Sequence, residues 1–265
     1  MLIDVHAHFY HRESGRLDGP ARNASRLAAG ERIGISWHVA SVLGSWGHTS
    51  PTYFPSPDDL DTANETLLDL TRAHPTRIKG YVCLNPNYTD HALTSIDRCA
   101  AAGMIGIKLA ASRRADDPLL DPIAHEAARR GLPVLHHIWQ NRRRDWPGQE
   151  ASDAAELARL ARRHPAATFI LAHIGGGGDW LHSLHAVRAL SNVMVDLSGS
   201  GVDSGMLEAC VRSVGADRLL WGADLTLCTG WAKLRYLQHW LLPDQVERIT
   251  WRNAASIFPP GSFGV

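Results

Sequence analysis

Two histidines, His6 and His8, stand one residue apart in the opening stretch MLIDVHAHFY. Residues two apart on an extended strand point to the same side, so both imidazoles can reach one point while Ala7 faces away. Two neutral imidazoles supply half of a tetrahedral site for a divalent ion. Further along, other chemistry-bearing side chains close short apolar runs: His136 and His137 in LPVLHHI, His173 in TFILAHI, and Asp224 in RLLWGADL. Imidazoles with a carboxylate form a nitrogen and oxygen set suited to zinc or a similar ion. Alternation from Pro133 separates the two neighbours in LPVLHHI. Leu135 and His137 take one side, Val134 and His136 the other. We take His137 as the inward residue, with His136 packed toward the helices as the structural alternative.

Lys108 sits near the end of another run, MIGIKLA. There it would line the pocket and hold an anionic substrate group, or be satisfied by a neighbouring carboxylate. We favour these readings over a carboxylated lysine that bridges a second ion. Trp46 and Trp139 are candidates for stacking on a flat or cyclic substrate. Arg143, inside the triple arginine 142–144, is the candidate for clamping a carboxylate. The other histidines read as ordinary: His74 and His164 each precede a proline at a helix end, while His91, His125, His182, His185 and His239 fall in helical segments.

Distant residues meet only if the fold brings them together. Eight short runs rich in Val, Ile and Leu occupy 2–8, 37–45, 77–86, 104–110, 132–138, 168–174, 192–200 and 218–225. They are often continuous rather than alternating, as parallel strands buried on both faces are. Helical patterns cover 58–75, 89–102, 121–131, 152–165, 203–215 and about 231–242, and a closing helix pair covers 243–258. The expected fold is α/β, a distorted single-domain (β/α)8 barrel of TIM type over residues 1–265. In such a barrel the strand ends converge on one face, which would gather the histidines and Asp224. An open doubly wound sheet is the alternative, but no GxGxxG follows the first strand and no GxxxxGK[ST] occurs. Two long connections, Phe9 to about Arg32 and Trp46 to Pro57, read as loops of the same face.

The 265 residues are 45% hydrophobic and 20% charged, with 27 basic side chains balancing 27 acidic ones. That balance excludes the basic footprint of a nucleic-acid or membrane-surface protein. The partners it admits are a small-molecule substrate and, as a homodimer, a second copy of the chain. The four cysteines form no CxxC pair, which suits a reducing compartment. Met1-Leu2-Ile3 reaches an acidic residue at once, without a basic leader, and no apolar stretch approaches the length of a membrane span. The expected location is cytoplasmic.

The pieces IDVHAH (3–8), HPTRIKGYVCLNP (74–86), GIKL (106–109), GLPVLHH (131–137), FILAHIGGGG (169–178), WGADL (221–225) and RNAASIF (252–258) form an ordered set along the chain. That set resembles the amidohydrolase-related group of the metal-dependent hydrolase superfamily, in the branch that includes aminocarboxymuconate semialdehyde decarboxylase. The resemblance implies one divalent metal ion, zinc foremost and manganese as the alternative. It implies His6, His8, His137 and Asp224 as metal ligands and His173 as a catalytic histidine near the metal. The group contains hydrolases and non-oxidative decarboxylases alike. The expected function is hydrolysis of an amide, lactone or related bond in a small carboxylate-bearing or cyclic substrate, through a metal-activated water. Asp224 would be both ligand and general base, and His173 would polarise the scissile carbonyl. The alternatives are decarboxylation on the same fold and a barrel that binds without catalysis.

Overall fold

The computed structural model describes residues 1–11, 18–44, 50–51, 53–139, 149–176, 178–201 and 203–265. Its strands are β1 (Ile3–His8), β2 (Trp37–Ser41), β3 (Ile78–Leu84), β4 (Gly106–Leu109), β5 (Val134–His136), β6 (Phe169–Leu171), β7 (Val193–Asp196) and β8 (Leu219–Leu220). They lie side by side in chain order in one parallel sheet. The last strand returns to the first. Val5 N–H donates to the Trp221 carbonyl at 3.2 Å and Asp224 N–H to the His6 carbonyl at 2.7 Å, beside an Ala7–Asp224 bridge. This is the TIM-type (β/α)8 barrel the alternating pattern predicts.

Each predicted run contains one strand, and from β2 onward the run continues past the strand's last residue toward the face where the site lies. The helices are α1 (Gly19–Arg32), α2 (Pro57–Ala73), α3 (Thr89–Ala101), α4 (Asp121–Arg130), α5 (Ala154–Arg163), α6 (Trp180–Val187), α7 (Met206–Val214) and α8 (Leu227–Trp240). The closing pair is α9 (Pro243–Glu247) and α10 (Asn253–Ile257), joined by a π turn over Arg248–Arg252. Local chemistry starts them where expected. Ser56 caps α2 ahead of Pro57, and Asp153 and Glu156 form a reciprocal capping box on α5. His74 and His164 are the C-cap residues of α2 and α5.

Two helices were not legible. The connection Phe9 to Arg32 contains α1, which buries Gly19, Asn23 and Gly30 rather than an apolar stripe. Without that stripe no helical period shows. α6 has only 8 residues and follows a run of glycines.

The barrel interior explains the position of the site. Ile3, Val5, Val39, Tyr81, Leu135, Ile170, Met194 and Leu220 fill its lower layers. Burying each such side chain stabilises the fold by about 1.5–3 kcal/mol. Gly106 is inward on β4 because any Cβ there would lie 2.6 Å from the Tyr81 ring. That ring crosses the barrel, and its hydroxyl donates to the Val5 carbonyl at 2.7 Å. Strand period two then dictates the next layer. Two residues past Val39, Gly106, Leu135 and Met194 come Ser41, Lys108, His137 and Asp196, all buried and polar. On β1 the register shifts between Asp4 and Ala7. The shift changes the parity of the strand, so His6 and His8 join this inward layer although Ile3 and Val5 also face in.

Among the described residues no helix is long and apolar enough to cross a membrane. All four cysteines are free.

Candidate metal centre

Three of the predicted residues meet most tightly. One ligand atom each from His6, His8 and Asp224 lies within 4.8 Å of the others. His8 Nε2 is 3.2 Å from Asp224 Oδ1, and His6 Nε2 is 3.1 Å from His8 Nε2. The far side of each imidazole is occupied. His6 Nδ1 is 2.7 Å from Asp196 Oδ2 and 3.1 Å from Ser198 Oγ, and His8 Nδ1 is 3.1 Å from Ser41 Oγ. A carboxylate only accepts, so Asp196 places the His6 proton on Nδ1 and leaves the Nε2 lone pair facing His8 and Asp224.

Electrostatics favour the same donor state. Burial pushes the His6 imidazole well below its ordinary value, and the Lys108 amine adds to the effect. Burial also lowers His8, with Asp224 pulling the other way. Both rings are therefore neutral donors near pH 7. Burial would raise the Asp224 carboxyl, but His6, His8 and His173 outweigh it and hold it well below the usual carboxylate range. Two neutral nitrogens and an ionised oxygen converging on one point fit a divalent cation.

Of the two neighbours His137 faces inward and His136 points away, with its Nδ1 3.0 Å from the His137 carbonyl. His137 is outside the tight trio. Its Nδ1 lies 3.1 Å from His173 Nε2, and its buried Nε2 has no hydrogen-bond partner among the described residues. A buried, unpaired imidazole nitrogen beside such a trio fits a further ligand role. The His173 ring stacks on His6 with centroids 5.8 Å apart. Lys108 is fully buried, its Nζ 3.0 Å from His6 Nε2, and burial brings its amine down to about 8.

Trp139 packs edge-on against His137 at 4.8 Å. Tyr53 completes an aromatic wall, 5.5 Å from the His137 ring and 6.4 Å from Trp139. Trp46 and Arg143 lie outside the described residues.

The backbone is strained at two of these positions. His173 (φ 40) and Asp224 (φ 53) are the non-glycine residues with left-handed backbones among the described residues. Such conformations cost on the order of 1–3 kcal/mol each and persist only where surroundings enforce them. At His173 the enforcing group is Asp196. Its Oδ2 accepts the His173 N–H at 3.0 Å and the Ser198 hydroxyl at 2.5 Å while also meeting His6. Gly222 has no side chain because a Cβ would sit 2.5 Å from Asp196 Oδ1. Sequence reasoning missed Asp196, although VMVDLS ends a strand in an acid just as WGADL does. Asp196→Asn is expected to weaken divalent-ion affinity by about 10–100-fold, the usual effect of losing a carboxylate behind a ligating histidine. Titrating the stripped variant with Zn²⁺ checks this; wild-type affinity would show that Asp196 does not orient His6.

Comparison with known proteins agrees with this architecture. The family model described as amidohydrolase matches residues 3–259. No curated protein matches the chain in sequence. Similar solved structures include 2,6-dihydroxybenzoate decarboxylase from Rhizobium, with TM-score 0.73, 17% identity, and 97% of this chain and 98% of that one covered. The 5-carboxyvanillate decarboxylase from Sphingomonas paucimobilis gives 0.71, 18%, 97% and 98%. A dihydroxybenzoic acid decarboxylase from Polaromonas sp. JS666, with bound manganese and 2-nitroresorcinol, gives 0.74, 17%, 97% and 96%. At such identities the likeness establishes the fold.

Proposed function

This chain belongs to the amidohydrolase family, and from that premise we propose that it is a metal-dependent decarboxylase of a small, planar, carboxylate-bearing ring. The observation that carries the reading is the His6, His8 and Asp224 cluster with the buried Lys108 amine against His6 and the rings of Tyr53 and Trp139 against the neighbouring His137. The aromatic-acid decarboxylases named above, one of them holding manganese, support it. His6, His8, His137 and Asp224 would hold the ion, zinc or manganese, which when bound supplies a Lewis acid for substrate oxygens.

The remaining work falls to side chains. Lys108 is placed to receive the substrate carboxylate in a charge-assisted hydrogen bond. Tyr53 and Trp139 offer faces and edges to a flat ring. Releasing carbon dioxide breaks a carbon–carbon bond, and the ring carbon must take a proton in its place. Asp224 is the site carboxylate with access to solvent, its side chain 23% exposed against 0% for Asp196, so it is placed to collect and deliver that proton. His173, whose Nε2 meets His137 Nδ1 at 3.1 Å, sets the His137 ring and stands as the polar group beside the substrate oxygens.

Tyr53→Ala is expected to raise KM for a ring substrate by roughly 10-fold with kcat within about 3-fold, the scale of one lost aromatic contact. Steady-state kinetics decide it, and an unchanged KM would remove Tyr53 from substrate binding.

The second reading is hydrolysis of an amide or lactone, favoured by the description of the family. A panel of ¹³C-carboxyl dihydroxybenzoates and vanillates, beside lactones and amides, separates the two with Zn²⁺ or Mn²⁺ supplied. Labelled carbon dioxide without water consumption supports decarboxylation. Ring opening with ¹⁸O uptake from water and no carbon dioxide would replace it with hydrolysis.

A further inference from the structure

The left-handed backbone of Asp224 is held from behind by groups whose hydrogen bonds go to the main chain around it and not to its carboxylate. Arg26, on α1, donates from Nη1 to the Asp224 carbonyl at 2.5 Å and from Nη2 to Asp4 Oδ2 at 2.8 Å. Asp4 uses its other oxygen on the backbone: Oδ1 accepts Ala223 N–H at 2.9 Å and His6 N–H at 3.2 Å. His38 Nδ1 lies 3.1 Å from Asp4 Oδ2. Asp4 is fully buried and the Arg26 side chain only 9% exposed.

One planar guanidinium therefore spans two acceptors, a carbonyl after β8 and a carboxylate on β1. That carboxylate in turn grips the peptides leading into His6 and Asp224. A rigid fork fixes the relation between its two acceptors in a way an ammonium cannot. We infer that Arg26, acting with Asp4, is a positioning residue that locks the Asp224 main chain in its left-handed state and so aims its carboxylate at His6 and His8. This rests on the metal-site reading above. A salt bridge that merely pins α1 to the barrel would stabilise the fold and leave the ligand geometry alone. The two roles differ in what they do to ion binding.

The test uses full-length wild type, Arg26→Met and Arg26→Lys, each stripped of metal and titrated with Zn²⁺ and with Mn²⁺ against a chelating dye. Thermal melting of the stripped proteins is followed in parallel. Arg26→Met is expected to weaken ion binding by at least about 10-fold, within the range for outer groups that orient ligands. Arg26→Lys keeps the charge but not the fork and is expected to lose about 5-fold or more. With ion saturating, kcat falls and substrate KM holds. Wild-type ion affinity in either variant overturns the inference, whatever happens to melting. Should Arg26→Met fail to fold, Arg26→Lys decides by the same criterion. Wild-type protein that takes up no ion overturns the metal reading and this inference with it. Uptake by wild type with unchanged affinity in the variants overturns the role of Arg26 alone.

Discussion

Asp224→Asn is expected to lower kcat/KM by about 10³-fold or more, on the order of 4 kcal/mol of transition-state stabilisation. The amide keeps the size of the carboxylate and its place beside His8 Nε2 at 3.2 Å. It loses the charge that faces two neutral imidazoles and the capacity to carry a proton. Asn tolerates the left-handed region better than most residues, so the φ 53 backbone survives the change. Unaltered circular dichroism with activity lost is the predicted pattern. His173→Ala should follow with a loss of roughly 10²-fold, the scale for removing one oriented polar group from a transition state. Steady-state rates at saturating ion measure both. Activity retained in Asp224→Asn would show that the proton is handled elsewhere.

Removing the ion should cost as much. Dialysis against a chelator is expected to take turnover to background, and Zn²⁺ or Mn²⁺ should restore it. Stability must follow, because the donors converge only in the folded chain. An ion present at about 1,000 times its dissociation constant stabilises the native state by about 4 kcal/mol. At about 2–4 °C per kcal/mol for a chain of this size class, melting should rise by roughly 8 °C or more. Differential scanning with and without added ion measures it. The rise should vanish in a His6→Ala/His8→Ala variant, whose ring nitrogens no longer supply the site. Equal melting of stripped and loaded wild type would mean that the buried histidines are packing residues.

The strand-end residues were legible because a barrel converts position along a run into position in space. His6, His8, Lys108, His137, His173 and Asp224 all lie at or near the ends of apolar runs, and the period of two puts His137 and His136 on opposite sides without any coordinates. What stayed hidden has physical causes. The parity change on β1 depends on a bulge that no residue type announces. Asp4 and Arg26 act through backbone groups, and a sequence does not show which carbonyl a guanidinium reaches. Tyr53 lies in the connection where Trp46 drew attention, and only the fold sets its ring against His137. α1 escaped notice because small and polar residues, not an apolar stripe, pack it down.

The inner polar layer does not by itself separate hydrolysis from decarboxylation. The aromatic wall and Lys108 lean the reading toward planar acids. The ion remains the part on which hydrolysis and decarboxylation both depend.

Metal content per chain therefore tests the central claim most directly. Stripped wild type and the His6→Ala/His8→Ala variant are each loaded with Zn²⁺ or Mn²⁺, desalted, and measured by elemental analysis against protein concentration. About one ion per wild-type chain and none per variant chain is the predicted result. Wild type that retains no ion, or a variant that retains as much as wild type, would contradict the assignment of His6, His8 and Asp224 as a metal centre.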